Sequence, residues 1–176
     1  MKTFFKEFNF PSTKNTYFLD LTGKINAVIK KSKVKDGFII ISSKHTTLGL
    51  IVNEIAEPNL LEDILEHIQK AVPEDKRSTR AIKNYNYPTT DYKHRCQDNP
   101  YCREIDEDYN AAEHIRSISY SLPSVTLPIR KGALALGTYQ QIAGFEFDGR
   151  DGKGKNPIRQ RKIQLWIYPV EEIIDL

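Results

Sequence analysis

The stretch FIIISSKHTTLGLIVNEIAEPNLLEDILEHIQKAV, residues 38–72, decides the fold. Its apolar, β-branched runs at 38–42 and 46–53 predict two strands, separated by Ser43-Lys-His45. From Pro58 onward, apolar residues recur at i, i+4 and i+8, which predicts a helix that ends before Pro73. Two strands followed by an amphipathic helix indicate a sheet with a helix packed on it.

The flanking sequence adds further strands and helices. Alternation of apolar and polar residues predicts strands over 3–10 and 16–20, followed by a helix capped by Asp20 or Thr22. Asn110 and Glu113 form the pattern of a capping box and predict that a helix opens there. Four strand-like segments follow, at 124–129, 133–136, 138–147 and 158–168, and predict an antiparallel meander. The predicted fold class is therefore α+β, a mainly antiparallel sheet with two or three helices on one face, in a single domain over residues 1–176.

Composition narrows the class of protein. The chain has 176 residues, 39% of them hydrophobic and 28% charged, which is typical of a globular protein. No apolar run approaches the ~20 residues of a membrane helix, and the N-terminus lacks the apolar core of a signal peptide. A cytoplasmic location is the expectation. The net charge of +3 is small and dispersed, so neither nucleic acid nor a membrane is expected as a partner.

One basic cluster runs from Arg150 to Lys162. It is typical of a solvated hairpin, and a phosphate-handling loop is the alternative. Cys96 and Cys102 are the only cysteines. Because no second pair of ligands lies at short spacing, free loop thiols or a disulfide are favoured over a metal knuckle.

Three of the four histidines stand beside turn or cap residues. His45 lies at a predicted strand edge, His94 in a long polar connection over 74–108, and His114 near a helix start. Three histidines with an open fourth position form the ligand set of a catalytic zinc site. The spacing does not show that they converge, so scattered surface histidines remain the alternative.

Polar residues also interrupt the apolar strands. Asn53, Glu54, Gln140 and Glu146 need partners or a ligand if their strands are buried. They fit the outward face of each strand equally well, as the alternation of Glu146 with Phe145 and Phe147 indicates. Both interpretations stay open for these positions.

Several motifs together carry a resemblance. They are His45-Thr-Thr, Ile51-Val-Asn53-Glu54, Tyr-x-His94, Asn110-Ala-x-x-His114, Ser124-x-x-x-Pro128 and Gly132-x-Leu-x-Leu-Gly-Thr-x-Gln140. In this order they resemble the YjbQ-like family, whose members have been associated with thiamine-phosphate synthase activity. The similarity runs from about Phe38 to Tyr168. It implies an α+β subunit that assembles into a homotrimer, with polar sites near the subunit contacts.

The resemblance also implies a reaction and a set of residues. The expected function is a thiamine-phosphate synthase-type transferase, which joins a pyrimidine methyl diphosphate to a thiazole phosphate and releases pyrophosphate. A divalent metal, zinc or magnesium, would be held by His45, His94 and His114, and the ligand would be a small phosphorylated substrate. The expected catalytic residues are those three histidines with Glu54, Gln140 and Glu146, and the expected substrate- or phosphate-binding residues are Thr46, Thr47, Asn53, Thr138, Tyr139 and Arg150.

Two other functions fit the same residues. One is a non-catalytic trimer that binds a metal or a small anion, and the other is a metal-dependent hydrolase with Glu54 or Glu146 as base. The sequence departs from the family pattern at Tyr139, where a Trp is usual. It also carries Asp-Gly-Lys-Gly-Lys after Arg150 and a cysteine-containing insertion after His94. These insertions flank the expected site and bear on substrate range.

Overall fold

The computed structural model describes residues 2–14, 16–77, 89–92, 109–150, 152 and 157–174. Within them the chain forms three helices and ten strands. The helices are α1 (Thr22–Ser32), α2 (Pro58–Ala71) and α3 (Ala111–Tyr120). The strands are β1 (Phe4–Ser12), β2 (Tyr17–Asp20), β3 (Gly37–Ser43), β4 (Leu48–Asn53), β5 (Glu74–Asp75), β6 (Thr89–Thr90), β7 (Ser124–Arg130), β8 (Ala133–Leu134), β9 (Gln141–Glu146) and β10 (Arg159–Pro169).

The strands form two main sheets. The larger has the order β1-β10-β3-β7-β8 and the smaller the order β2-β9-β4, and every neighbouring pair in both is antiparallel. The short strands β5 and β6 pair in parallel. The prediction of an α+β fold with mainly antiparallel sheets is confirmed.

The predicted meander is wrong. Of the four consecutive strands β7 to β10, only β7 and β8 are neighbours. β9 is the central strand of the smaller sheet, and β10 lies between β1 and β3. Apolar alternation specifies which face of a strand is buried, and it does not specify the partner strand.

The main core lies between the two sheets. Ile39 and Ile41 of β3 and Leu165 of β10 face Leu48 and Leu50 of β4, and all five are at most 1% exposed. Helix α1 adds further buried isoleucines to this cluster. A smaller cluster of Phe145, Phe147 and Ile68 packs α2 against the smaller sheet. The smaller sheet is therefore covered on both faces.

Helices α1 and α2 differ at their starts. The N-cap of α1 is Leu21, with no side-chain cap hydrogen bond, so the predicted cap by Asp20 or Thr22 is wrong. The Asp20 carboxylate, one residue before the cap position, accepts a hydrogen bond from the Thr22 amide at 2.8 Å. The Glu57 carboxylate caps α2 by accepting from the amides of Asn59 and Leu60. In the described part of the chain, no helix combines the length and apolar character needed to span a membrane.

Candidate functional site

A buried ion pair between the two sheets forms the base of the site. Alternation along β9 and β10 directs Glu146 and Arg161 toward each other at one end of the main core. The Arg161 Nε donates to Glu146 Oε2 at 2.6 Å, and its Nη2 donates to Glu146 Oε1. Both side chains are at most 4% exposed. A buried charge without such a partner would cost several kcal/mol.

This ion pair decides between the two interpretations of Glu146, as a residue on the outward face of its strand or as a buried residue that needs a partner. Glu146 is buried and has a partner. The alternation with Phe145 and Phe147 does not place Glu146 in water, because β9 is covered on both faces. The two phenylalanines face α2, and Glu146 faces the core between the sheets. Arg161 supplies the partner that a buried carboxylate requires.

The ion pair extends into a network. Arg161 Nη2 also donates to Thr47 Oγ1 at 3.1 Å, and the Asp148 amide donates to Glu146 Oε1 at 2.8 Å. The Asp148 carboxylate then pairs with Arg159, 2.6 Å from Nη2 to Oδ2. The loop before β4, the end of β9 and the start of β10 are thereby joined.

Asn110 connects α3 to the same network. Helix α3 begins at Ala111, as predicted, but the predicted capping box is wrong because the Asn110 side chain makes no cap hydrogen bond. Its Nδ2 donates instead to Asp148 Oδ2 at 3.0 Å. Asn110 is 2% exposed, and this charge-assisted hydrogen bond to a buried carboxylate orients its side chain toward Asp148.

Gly149 fixes the position of Arg150. A Cβ at Gly149 would lie 1.7 Å from the Lys14 carbonyl oxygen, so only glycine permits this approach. The Arg150 amide then donates to the Ser12 carbonyl at 3.0 Å. These contacts dock the segment after β9 onto the end of β1.

The arginines converge on a pocket of about 380 Å³, which we call the arginine pocket. The described residues that line it include no acidic side chain, because the carboxylates of Glu146 and Asp148 lie behind the arginines. Three guanidinium groups against two carboxylates leave a net charge of +1 in this group. The lining residues are His45, Arg150, Pro157, Ile158, Arg159, Gln160 and Arg161.

His45 forms one wall of the arginine pocket. Its Nε2 accepts a hydrogen bond from the Lys162 amide at 2.8 Å, and its own amide donates to Ser43 Oγ at 3.2 Å. An accepting Nε2 is unprotonated, so the neutral ring carries its proton on Nδ1. Nδ1 is then a hydrogen-bond donor.

The charges around His45 favour the neutral ring. Burial lowers the pKa of His45 below its ordinary value of 6.5, and the positive charges of Arg161, Arg159 and Lys162 lower it further. The Glu146 carboxylate opposes this effect without overcoming it. The part of this shift that Arg161, Arg159 and Lys162 cause reflects a positive local potential, which attracts anions.

His45 does not fit a metal ligand as it is oriented. A metal binds the unprotonated nitrogen, and the lone pair of Nε2 already accepts from Lys162. In the ranges that the structure describes, no three His, Cys, Asp or Glu are grouped to hold a metal ion. His94 lies outside the described residues, as do Cys96 and Cys102, so the three-histidine set stays a prediction.

A second pocket of about 500 Å³ adjoins the first at His45, and we call it the α3 pocket. It brings His45 and His114 together, a convergence that the spacing alone did not establish. A Cβ at Gly49 would lie 1.7 Å from Ser121 Oγ, so the missing side chain lets the end of α3 approach β4. The lining residues are His45, Thr46, Leu48, Gly49, His114, Ile115, Ser117, Ile118, Ser121 and Pro123.

The remaining predicted residues lie at the other end of the smaller sheet. Leu48 pairs with Glu146 at the His45 end of β4, and Asn53 pairs with Gln141 at the far end. Five residues of strand separate these positions by roughly 17 Å. Glu54 follows Asn53, and the exposed turn that precedes β9 contains Thr138, Tyr139 and Gln140. The structure thus divides the predicted site into two groups.

The site contains residues that the sequence did not single out. Asp148 was not predicted as a site residue, and Arg159 and Arg161 were noted only as part of a basic cluster. The prediction of a solvated hairpin is wrong for Arg161, which is 3% exposed. The sequence did contain a signal for this burial, because Arg161 lies on the same face of β10 as the buried Ile163 and Leu165.

A second cationic pocket lies at the opposite end of β3, roughly 20 Å away. Its volume is about 470 Å³, and we call it the lysine pocket. Its four lysines lie at the surface. The lining residues are Lys30, Lys33, Val34, Lys35, Lys131 and Gly132.

Comparisons with known proteins identify the family. The family model for the UPF0047 protein YjbQ-like family matches residues 6–169. A UPF0047 protein of Archaeoglobus fulgidus is 32% identical over 143 residues, which cover 81% of this chain and 90% of that relative. A solved structure of an uncharacterized conserved YjbQ/UPF0047 protein from Clostridium acetobutylicum superposes with a TM-score of 0.68 at 28% identity. It covers 93% of this chain and 99% of that one.

The same comparisons correct the predicted function. A solved relative from Sulfolobus solfataricus, with a TM-score of 0.67 and 25% identity over 96% of this chain and 99% of that one, is described as a YbjQ-like protein of unknown function. The Archaeoglobus relative is described only as a UPF0047 protein. The prediction of a thiamine-phosphate synthase-type transferase, with its place in thiamine biosynthesis, is therefore wrong. The predicted family is confirmed, and the chain belongs to the YjbQ-like UPF0047 family.

Proposed function

We propose that the arginine pocket binds a small phosphorylated molecule. The observation that carries the proposal is the lining of this pocket, three arginines and His45 with no acidic side chain among the described residues. The planar guanidinium group matches phosphate oxygens with two parallel hydrogen bonds. A concave site with one sign of charge also concentrates anions.

His45 supplies a neutral donor in this proposal. Its ring is held through Nε2 by the Lys162 amide, so Nδ1–H is the group left for a ligand oxygen. Burial, together with the positive charges of the neighbouring side chains, lowers the pKa of His45 and keeps the ring neutral near pH 7. A phosphate oxygen would accept the Nδ1 proton in a hydrogen bond without proton transfer.

The buried carboxylates preorganise the pocket. Glu146 holds Arg161 with two hydrogen bonds, and Asp148 holds Arg159 at 2.6 Å. Side chains fixed before binding lose little conformational entropy when the ligand arrives. The affinity for phosphate then depends on an arrangement that the protein has already formed.

Calorimetric titration with inorganic phosphate tests the proposal. Arg150→Gln removes a positive charge from the lining and should weaken binding roughly tenfold or more, as expected for a charge-assisted hydrogen bond. Lys35→Gln removes the same charge from the lysine pocket and should leave binding unchanged. Equal affinities in wild type and Arg150→Gln would contradict the proposal.

We also propose that the chain assembles with copies of itself, as the resemblance implies for a homotrimer. Support comes from apolar side chains on and after α3, since Ile118 is 82% and Leu122 56% exposed. Exposed apolar clusters of this kind are typical of protein interfaces. A site that combined the two separated groups of predicted residues would also need two copies.

Light scattering tests the assembly. A homotrimer should have about three times the chain mass of 20.3 kDa. Ile118→Asp should shift the mass toward one chain, while Ile174→Asp, at a position that is 75% exposed near the C-terminus, should not. A wild-type mass of 20.3 kDa would contradict the proposal.

A further inference from the structure

We propose that the ligand is an amphiphilic phosphate ester, with its phosphate in the arginine pocket and an uncharged apolar group in the α3 pocket. This inference rests on the proposed function and adds the class of ligand. Three features carry it: the shared wall of the two pockets, their contrasting chemistry, and the rigidity of the α3 pocket.

His45 is the shared wall. His45 lines both the arginine pocket and the α3 pocket. The hydrogen bond from the Lys162 amide to Nε2 fixes the ring between them. A ligand oxygen bonded to Nδ1 therefore sits at the boundary, and the group esterified to the phosphate can continue past the ring.

The two pockets differ in charge. The described lining of the α3 pocket contains no Asp, Glu, Lys or Arg, whereas three arginines line its neighbour. Leu48, Ile115 and Pro123 give the α3 pocket a largely apolar wall. A charged group would lose hydration there without gaining an ionic partner, so the pocket favours an uncharged apolar group. Hydroxyls such as Ser117 can orient it.

The α3 pocket is held in shape by the backbone. Leu50 and Leu122 exchange two amide-to-carbonyl hydrogen bonds, at 2.7 and 2.9 Å, which tie the end of α3 to β4. The close approach of Gly49 and Ser121 fixes the same wall. At about 500 Å³ the pocket lies in the usual range for small-molecule sites, and a ring-sized group fits it.

A larger pocket of about 730 Å³ beside α2 is the alternative place for an apolar group. Its described lining includes Ile64 and Phe145 but neither His45 nor any arginine. A group bound there would not be connected to the phosphate through the shared wall. The α3 pocket is therefore the better match.

Calorimetric titrations with phenyl phosphate and inorganic phosphate test the inference. Phenyl phosphate should bind about tenfold more tightly than inorganic phosphate, because the ring adds buried apolar area. Ile115→Asn should remove that advantage and leave the affinity for inorganic phosphate unchanged. Ile115→Leu should retain the advantage, and Ile64→Asn, in the larger pocket, should have no effect on it.

The outcomes separate the two proposals. Equal affinities for phenyl phosphate and inorganic phosphate would overturn the amphiphilic ligand and leave phosphate binding intact. Loss of the advantage in Ile64→Asn but not in Ile115→Asn would place the ring in the larger pocket and would also overturn it. Failure of both phosphates to bind the wild-type protein would overturn the proposed function together with this inference.

Discussion

The two ends of β3 carry cationic pockets of similar volume and different construction. At one end, Arg159 and Arg161 are held by buried carboxylates. At the other, four lysines project from the surface on flexible stems. Ordering a lysine side chain around an anion costs up to about 2 kcal/mol of rotamer entropy. The held arginines lose little further rotamer entropy on binding, because folding has already ordered them. We therefore expect an anion to bind the held arginines more tightly than the more numerous lysines.

The largest expected effect is at the framework of the arginine pocket. Arg161→Met would leave Glu146 buried without its partner and should lower the free energy of unfolding by about 3–5 kcal/mol. Arg130→Met, near the lysine pocket, breaks a half-exposed pair with Asp36 and should cost at most about 1 kcal/mol. Urea denaturation measures both. Similar losses in the two variants would remove the proposed difference between the ends.

Gly149 offers a second comparison. A Cβ there would meet the Lys14 carbonyl at 1.7 Å, so Gly149→Ala should destabilise the fold by about 1–3 kcal/mol through backbone displacement. A Cβ at Gly23, in the first turn of α1, would have nothing within 4 Å. Gly23→Ala should be neutral or stabilising by up to about 1 kcal/mol. Thermal denaturation that ranks the two variants the other way would refute the role given to Gly149.

Replacing Lys33 of the lysine pocket should not destabilise the fold and should even stabilise it, as urea denaturation would measure. Lys33 follows α1 with φ of 62°, a left-handed conformation that favours glycine. Lys33→Gly should therefore raise the free energy of unfolding by about 0.5–1 kcal/mol. Lys30→Gly, inside the last turn of α1, should lower it by about 1 kcal/mol. A destabilised Lys33→Gly variant would show that this lysine is held more firmly than its exposure indicates.

The smallest expected effect is the pH dependence from His45. Because its pKa is lowered in the folded protein, the neutral ring contributes stability that is present above about pH 6.5 and is lost as the pH falls through the folded pKa. Wild type should therefore lose stability below pH 6.5 more than His45→Gln does. Denaturation at pH 7.5 and 5.5 measures the difference. Parallel losses in both proteins would mean that His45 is not the group responsible.

Much of the fold could be predicted from the sequence, because local patterns determine it. Pro58 and the apolar spacing after it predict α2, and the alternation along β10 predicts its strand. Strand partners could not be predicted, since β9 and β10 pair with strands that are distant in sequence.

The candidate site was also predicted only in part, because some of its residues follow from local patterns and others from contacts that are distant in sequence. The histidines could be nominated from their neighbours, but the convergence of His45 and His114 depends on the pairing of Leu50 with Leu122 across the chain. At Asn110 the local pattern predicted a helix cap that does not form. The side chain instead makes a hydrogen bond to the buried carboxylate of Asp148, which is distant in sequence. Glu146 could not be assigned until both faces of β9 were known to be covered.

The central claim is that the arginine pocket, and not the lysine pocket, takes the phosphate. Crystals grown with tungstate, a phosphate-like anion, would locate the anion directly by the anomalous scattering of tungsten. We predict a tungsten peak in the arginine pocket, with a tungstate oxygen within hydrogen-bond distance of His45 Nδ1. A peak in the lysine pocket with none beside His45 would contradict this claim.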